Sequence, residues 1–136
     1  MQSQYDEATN VLQESRAKFV EIGDVLGAAQ CFRTLGEVRS YQGDYAEASI
    51  ILSEAREQFI KIGNPRGAAQ CLQALGDNIR FEGKYVEAED LLKQAWEEFL
   101  NIGDSRGVEQ CEFSLSTVVI ASSSDEASIS DKASSD

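Results

Sequence analysis

Between Tyr45 and Ile62 the apolar residues recur at steps of three and four. Tyr45, Ala48, Leu52, Ala55, Phe59 and Ile62 share one helical face, while Glu47, Glu54, Arg56 and Lys61 fall mostly elsewhere. Asp44 followed by Glu47 predicts the start of this helix as a capping box, each side chain meeting an otherwise unpaired amide. Gly63 predicts its end, because a left-handed residue costs glycine least. A second helix opens at once: Asn64 is a good cap, and Pro65 has no N–H to leave unpaired at the first position. Its inward residues are Ala68, Cys71, Leu72, Leu75 and Ile79, and Gly83 stops it. Gly76 lies mid-helix, where it costs up to about 1 kcal/mol relative to alanine. That cost is tolerable if a neighbouring helix must approach closely there.

The two-helix pattern returns every 40 residues. Gly27–Cys31 and Gly67–Cys71 both read Gly-Ala-Ala-Gln-Cys, and Gly107–Cys111 is a worn copy, Gly-Val-Glu-Gln-Cys. Tyr5, Tyr45 and Tyr85 match, as do Phe19, Phe59 and Phe99; Asp24 and Asp104 take the capping place of Asn64. A fixed period in this range marks stacked supersecondary units. Six helices are predicted, near residues 4–22, 25–42, 45–62, 65–82, 85–102 and 105–121. Loops of two or three residues fold consecutive helices into antiparallel hairpins. The expected fold is all-α, a solenoid of helix hairpins over residues 1–121 in units 5–44, 45–84 and 85–121. Residues 122–136, serine-rich and acidic with almost nothing apolar, read as a disordered tail.

Charge narrows the function. At a net −12 the chain lacks the basic footprint that nucleic acid or an anionic membrane requires; the charge suits a solvated acidic surface first, or a partner with a basic face. No apolar run approaches the roughly 20 residues that span a bilayer. The start, Met1-Gln-Ser-Gln-Tyr-Asp, is polar and acidic, unlike a secretory leader. The expectation is a soluble cytoplasmic protein. Cys31, Cys71 and Cys111 fall one per unit. Equivalent positions of packed helical repeats lie about 10 Å apart, beyond the roughly 7 Å that a disulfide spans, so the three are expected to be small core residues. The chain has no histidine, no Gly-x-x-x-x-Gly-Lys-Ser/Thr loop and no ligand cluster with metal spacing. No catalytic residue, metal or cofactor is therefore expected. Solenoids mostly work by offering a surface.

Leu35-Gly36, Gly43, Tyr45, Ala48 and Ala55, and again Leu75-Gly76, Gly83, Tyr85, Ala88 and Ala95, follow a pattern that resembles the tetratricopeptide repeat. The resemblance covers about residues 1–121. It departs from the family in its period, 40 residues against the usual 34, and in Glu112, which stands where the earlier units have Phe32 and Leu72. The long unit resembles spindle-orientation regulators that bind peptides, and the phrase at Gly67–Asp77 is similar to arrays in fungal and bacterial signalling proteins.

The resemblance implies a right-handed α-solenoid whose helix A carries Leu-Gly and whose helix B carries Tyr-x-x-Ala, with the A helices lining a concave groove. The groove positions would be Gln30, Arg33, Glu37, Ser40 and Tyr41; then Gln70, Gln73, Asp77, Arg80 and Phe81; then Gln110, Phe113 and Thr117. Gln30, Gln70 and Gln110 form a ladder that either pairs with an extended peptide backbone or is a solvated stripe. The Lys/Asn carboxylate clamp of some family members is missing, and Glu37 with Asp77 favours a ligand carrying Lys or Arg. The implied function is a scaffold that binds a peptide or helix of a protein partner, within a larger signalling protein. The chain also begins on a B helix, whose flank lacks its A partner. A second reading is therefore a structural module that stacks through this uncapped helix into a homo-oligomer or a longer array. Trp96, in the place of Arg16 and Arg56, either covers the neighbouring helix as their long stems would, the favoured reading, or marks a contact patch.

Overall fold

The computed structural model describes the backbone of residues 2–134 and the side chains of residues 3–123. Six helices follow one another: α1 Gln2–Glu21, α2 Val25–Tyr41, α3 Tyr45–Lys61, α4 Pro65–Phe81, α5 Tyr85–Ile102 and α6 Ser105–Ser134. Five of them keep the expected bounds to within two residues. α6 does not end near 121; it continues through the stretch read as a disordered tail. No glycine or proline follows Gly107, so nothing in the backbone chemistry halts the helix. The side chains of 124–136 lie outside the described residues.

The turns are built as the sequence implies, with one exception. Gly63 closes α3 at φ 72°, and the Asn64 N–H reaches back to the Phe59 carbonyl at 2.9 Å, a Schellman closure. The carboxamide Oδ1 of Asn64 then accepts from the Gly67 N–H at 2.8 Å; Asp24 and Asp104 do the same for Gly27 and Gly107 at 2.9 and 3.1 Å. The exception is the capping box at α3. Asp44 makes no side-chain cap bond, and the Glu47 carboxylate instead faces the Arg39 guanidinium at 3.6 Å. The full charge at the end of α2 draws Glu47 away from the amide it would have capped.

Consecutive helices pack as antiparallel hairpins. Among the described residues the backbones of the A helices also approach one another, α2 with α4 and α4 with α6, whereas those of the B helices α1, α3 and α5 stand further apart. The stack therefore curves, with the A helices on the inner side, and the molecule is an α-solenoid. Ala55 and Phe59 of α3 join Ala68 and Cys71 of α4 in one buried cluster, and Leu52 joins Leu72 of α4 in the next. The mid-helix glycines mark close crossings: a Cβ on Gly76 would lie 2.7 Å from Leu92 Cγ, and one on Gly36 2.7 Å from the same atom of Leu52. A glycine of a second kind opens each A helix. A Cβ on Gly67 or Gly107 would run into the ring of Phe59 or Phe99, which explains why the repeated motif begins with glycine.

Two of the three cysteines are fully buried, and burial pushes the thiols of Cys71 and Cys111 up to about 12, leaving them protonated and unreactive. Cys31 departs from the expectation by being half-buried. Cys71 is closed in by Ala29, Phe32 and Leu35 of the preceding A helix. No described helix occupies the equivalent position outside α1. The long side chains at the shared register of Arg16, Arg56 and Trp96 each reach a neighbouring helix. Arg16 lies 4.1 Å over the Phe32 ring, Arg56 grips Glu98 in a two-pronged pair at 2.9 and 2.8 Å, and half-buried Trp96 donates to Glu112 at 3.2 Å.

Candidate functional site

The inner side of the stack encloses a hollow of about 570 Å³. Arg33, Glu37, Ser40 and Tyr41 of α2, Gln70, Gln73, Asp77 and Phe81 of α4, and Gln110 of α6 line it. A neighbouring hollow shares Tyr41, Gln73, Asp77, Phe81 and Gln110, and adds Arg80 and Phe113. The pitch of a helix explains this set: positions 33, 37, 40 and 41, or 73, 77, 80 and 81, differ by three and four and so share one face. Two of the residues expected at the groove, Gln30 and Thr117, line neither hollow; Gln30 is exposed, and of the three glutamines Gln70 and Gln110 line the first hollow. Thr117 is half-buried and donates its hydroxyl to the Ser114 carbonyl at 2.6 Å.

Arg66 and Arg106, at the openings of α4 and α6, and Asp104 complete the first hollow, and Arg66 pairs with Asp104 at 3.1 Å. They fall outside the helix-interior register that defines the expected groove positions. The signal was present: Arg66 and Arg106 share a register in which the first unit has Leu26.

Charges in the hollow are arranged in pairs. Arg33 Nη1 donates to Glu37 Oε1 at 2.7 Å, and Arg80 Nη2 reaches Asp77 Oδ1 at 3.3 Å. Burial nonetheless raises both carboxyls above the ordinary carboxylate range. Arg33 pulls Glu37 back only in part, and the nearby Asp77 raises it further; Ser114 and Arg80 likewise offset part of the shift at Asp77. Beside these pairs two aromatic rings stand open. Tyr41 is 64 % and Phe81 43 % exposed, with ring centroids 6.3 Å apart, and Phe113 is 70 % exposed across the second hollow. The arrangement suits recognition: flat apolar rings beside half-buried charged pairs. Among the described residues no group of His, Cys, Asp or Glu side chains is placed to hold a metal ion.

Comparison with known families agrees with the repeat. Residues 35–97 match the family model described as tetratricopeptide repeat, a stretch that contains both motif copies from Leu35 to Ala95. A search of curated proteins finds no match to the chain. Over residues 35–97 the chain is similar to the tetratricopeptide repeat family.

Proposed function

We propose that the concave face of this solenoid seats a peptide or helix of a protein partner, as an interaction scaffold within a signalling protein. Tetratricopeptide repeats mediate protein–protein contacts in general. The observation that carries the reading is the exposed Tyr41–Phe81 pair beside a half-buried charged hollow, since aromatic and arginine anchors dominate binding energy at interfaces. A net charge of −12 favours a partner with basic residues. Three free cysteines fit a reducing, cytoplasmic setting. No described helix is long and apolar enough to cross a membrane. The Tyr41→Ala, Phe81→Ala double variant tests the reading: a partner recovered by the wild-type chain and by Val86→Ala on the convex side is lost by the groove variant. Equal recovery by all three overturns it.

A second reading has its own observation. Val11 and Ile22 of α1 are 61 and 74 % exposed, and Leu12 and Phe19 are half-buried, although their counterparts one unit on are covered or half-covered. This face is the one on which an A helix packs in the later units, so it supports stacking through α1. Light scattering over a concentration range tests it: self-association abolished by Phe19→Glu supports stacking, and a strict monomer rejects it.

A further inference from the structure

We propose that the partner is anchored by an arginine side chain that enters between Glu37 and Tyr41, a slot that the first unit leaves open and the second fills from within. The proposal rests on the groove reading and names what that groove recognises. The second unit shows the filled form. Arg80 lies 4.6 Å from the centroid of the Phe81 ring with its guanidinium on Asp77 at 3.3 Å, so one cation is held by a ring face and a carboxylate together. Positions 37, 40 and 41 are the same three places one repeat earlier. There the carboxylate is Glu37 and the ring is Tyr41, but the residue between them is Ser40, which cannot reach either as an arginine would.

The consequences are visible in the structure. Ser40 is 6 % exposed and lines the hollow, and its Oγ has no hydrogen-bond partner. Among the described residues no cation lies over Tyr41, and its ring is the more exposed of the pair. Arg33 does not fill the slot: it comes from one turn earlier on α2, on the far side of Glu37 from Tyr41, and bonds through Nη1 to Oε1. Glu37 stays above the ordinary carboxylate range even with Arg33 in place, as expected where burial exceeds the positive charge supplied. A guanidinium brought by the partner would add the missing charge, stack on Tyr41 and offer a donor to Ser40. Arginine fits better than lysine because its planar fork can stack and hydrogen-bond together.

The test is an NMR titration of the full, isotope-labelled chain with a capped Ala-Arg-Ala peptide, beside the same peptide carrying citrulline, lysine or glutamate in place of arginine. The arginine peptide should shift the amides of Glu37, Ser40 and Tyr41 and bind on the order of fivefold more tightly than the uncharged citrulline peptide. Ser40→Arg installs the residue that the second unit already accommodates and should abolish the response; Glu37→Gln should weaken it by a similar factor. Circular dichroism confirms that both variants are folded. Equal binding of the citrulline peptide, tighter binding of the glutamate peptide, a response outside the slot, no response, or a response that survives Ser40→Arg in the folded protein each overturns the proposal. The groove reading stands or falls separately, on whether a natural partner is lost with Tyr41→Ala and Phe81→Ala.

Discussion

Phe19 and Phe59 hold the same place in successive hairpins, each lying over the glycine that opens the next helix, Gly27 or Gly67. Yet Phe59 is 1 % exposed, while Phe19 is only half-buried. Leu12 differs from Leu52, and Cys31 from Cys71, in the same way. Contacts within a hairpin come from the repeat itself; burial comes from the hairpin before it. The backbone of α3 is flanked by α2 and α4, whereas among the described residues that of α1 approaches α2 alone. The first unit is also where the groove slot lacks its internal arginine. Both openings are thus on the same hairpin, one on its flank and one on its inner face.

The largest test of this contrast is truncation of the two phenylalanines. Phe59→Ala should cost about 3–5 kcal/mol, and Phe19→Ala less than half as much, because half-buried Phe19 has less cover to lose. Urea denaturation checks this, and equal losses would break the comparison. Next come the glycines beneath them. Gly67→Ala presses on a ring held on every side and should cost about 1–3 kcal/mol. Gly27→Ala presses on a ring with room to shift, and the roughly 1 kcal/mol helix preference of alanine should cancel much of the strain. Melting temperatures of the pair give the order.

A smaller effect concerns the groove carboxyls. Burial raises Glu37 and Asp77 in the folded state, so the native protein holds their protons more tightly than the unfolded chain does. Their stabilising contribution is complete below the ordinary carboxylate range and is lost as pH rises through the raised values. The stability of the wild type relative to Glu37→Gln, Asp77→Asn should therefore decline as pH rises through and above the ordinary carboxylate range. A rising or flat difference would contradict the assignment of these shifts to burial. Smallest of all is Asn78→Val, which installs the residue found at 38 and 118. Asn78 Nδ2 bonds the Tyr45 carbonyl and Ser49, but its Oδ1 is buried without a partner. Loss and gain nearly cancel, and stability should stay within about 1 kcal/mol.

Much of the fold was legible because its causes are local. The cap at Asn64, the stop at Gly63 and the 3–4 spacing of Ala48, Leu52, Ala55 and Phe59 each act within a turn or two. Gly76 was legible as a close crossing because an interior glycine otherwise only weakens a helix. What escaped depends on neighbours that the spacing does not name. Glu47 faces Arg39 from the helix before, no described helix stands to Cys31 as α2 stands to Cys71, and α6 runs on for want of a stop signal. In the groove, residues on one helix face were legible from their register, while Arg66 and Arg106 sit at helix openings outside it. The pairing of Ser40 with Arg80 needed the second unit's geometry, because only the cation lying on Phe81 shows what the first unit leaves open.

The central claim, that the inner face is where a partner sits, is tested most directly by site-specific photo-crosslinking of the full chain in cells. A photoreactive residue is placed at Gln73 in the groove, at Phe19 on the open flank of α1, or at Val86 on the convex side. The account predicts a discrete protein adduct from Gln73, little from Val86, and loss of the Gln73 adduct when Tyr41 and Phe81 are replaced by alanine. An adduct from Phe19 with none from Gln73 would contradict it and move the working surface from the groove to the end of the stack.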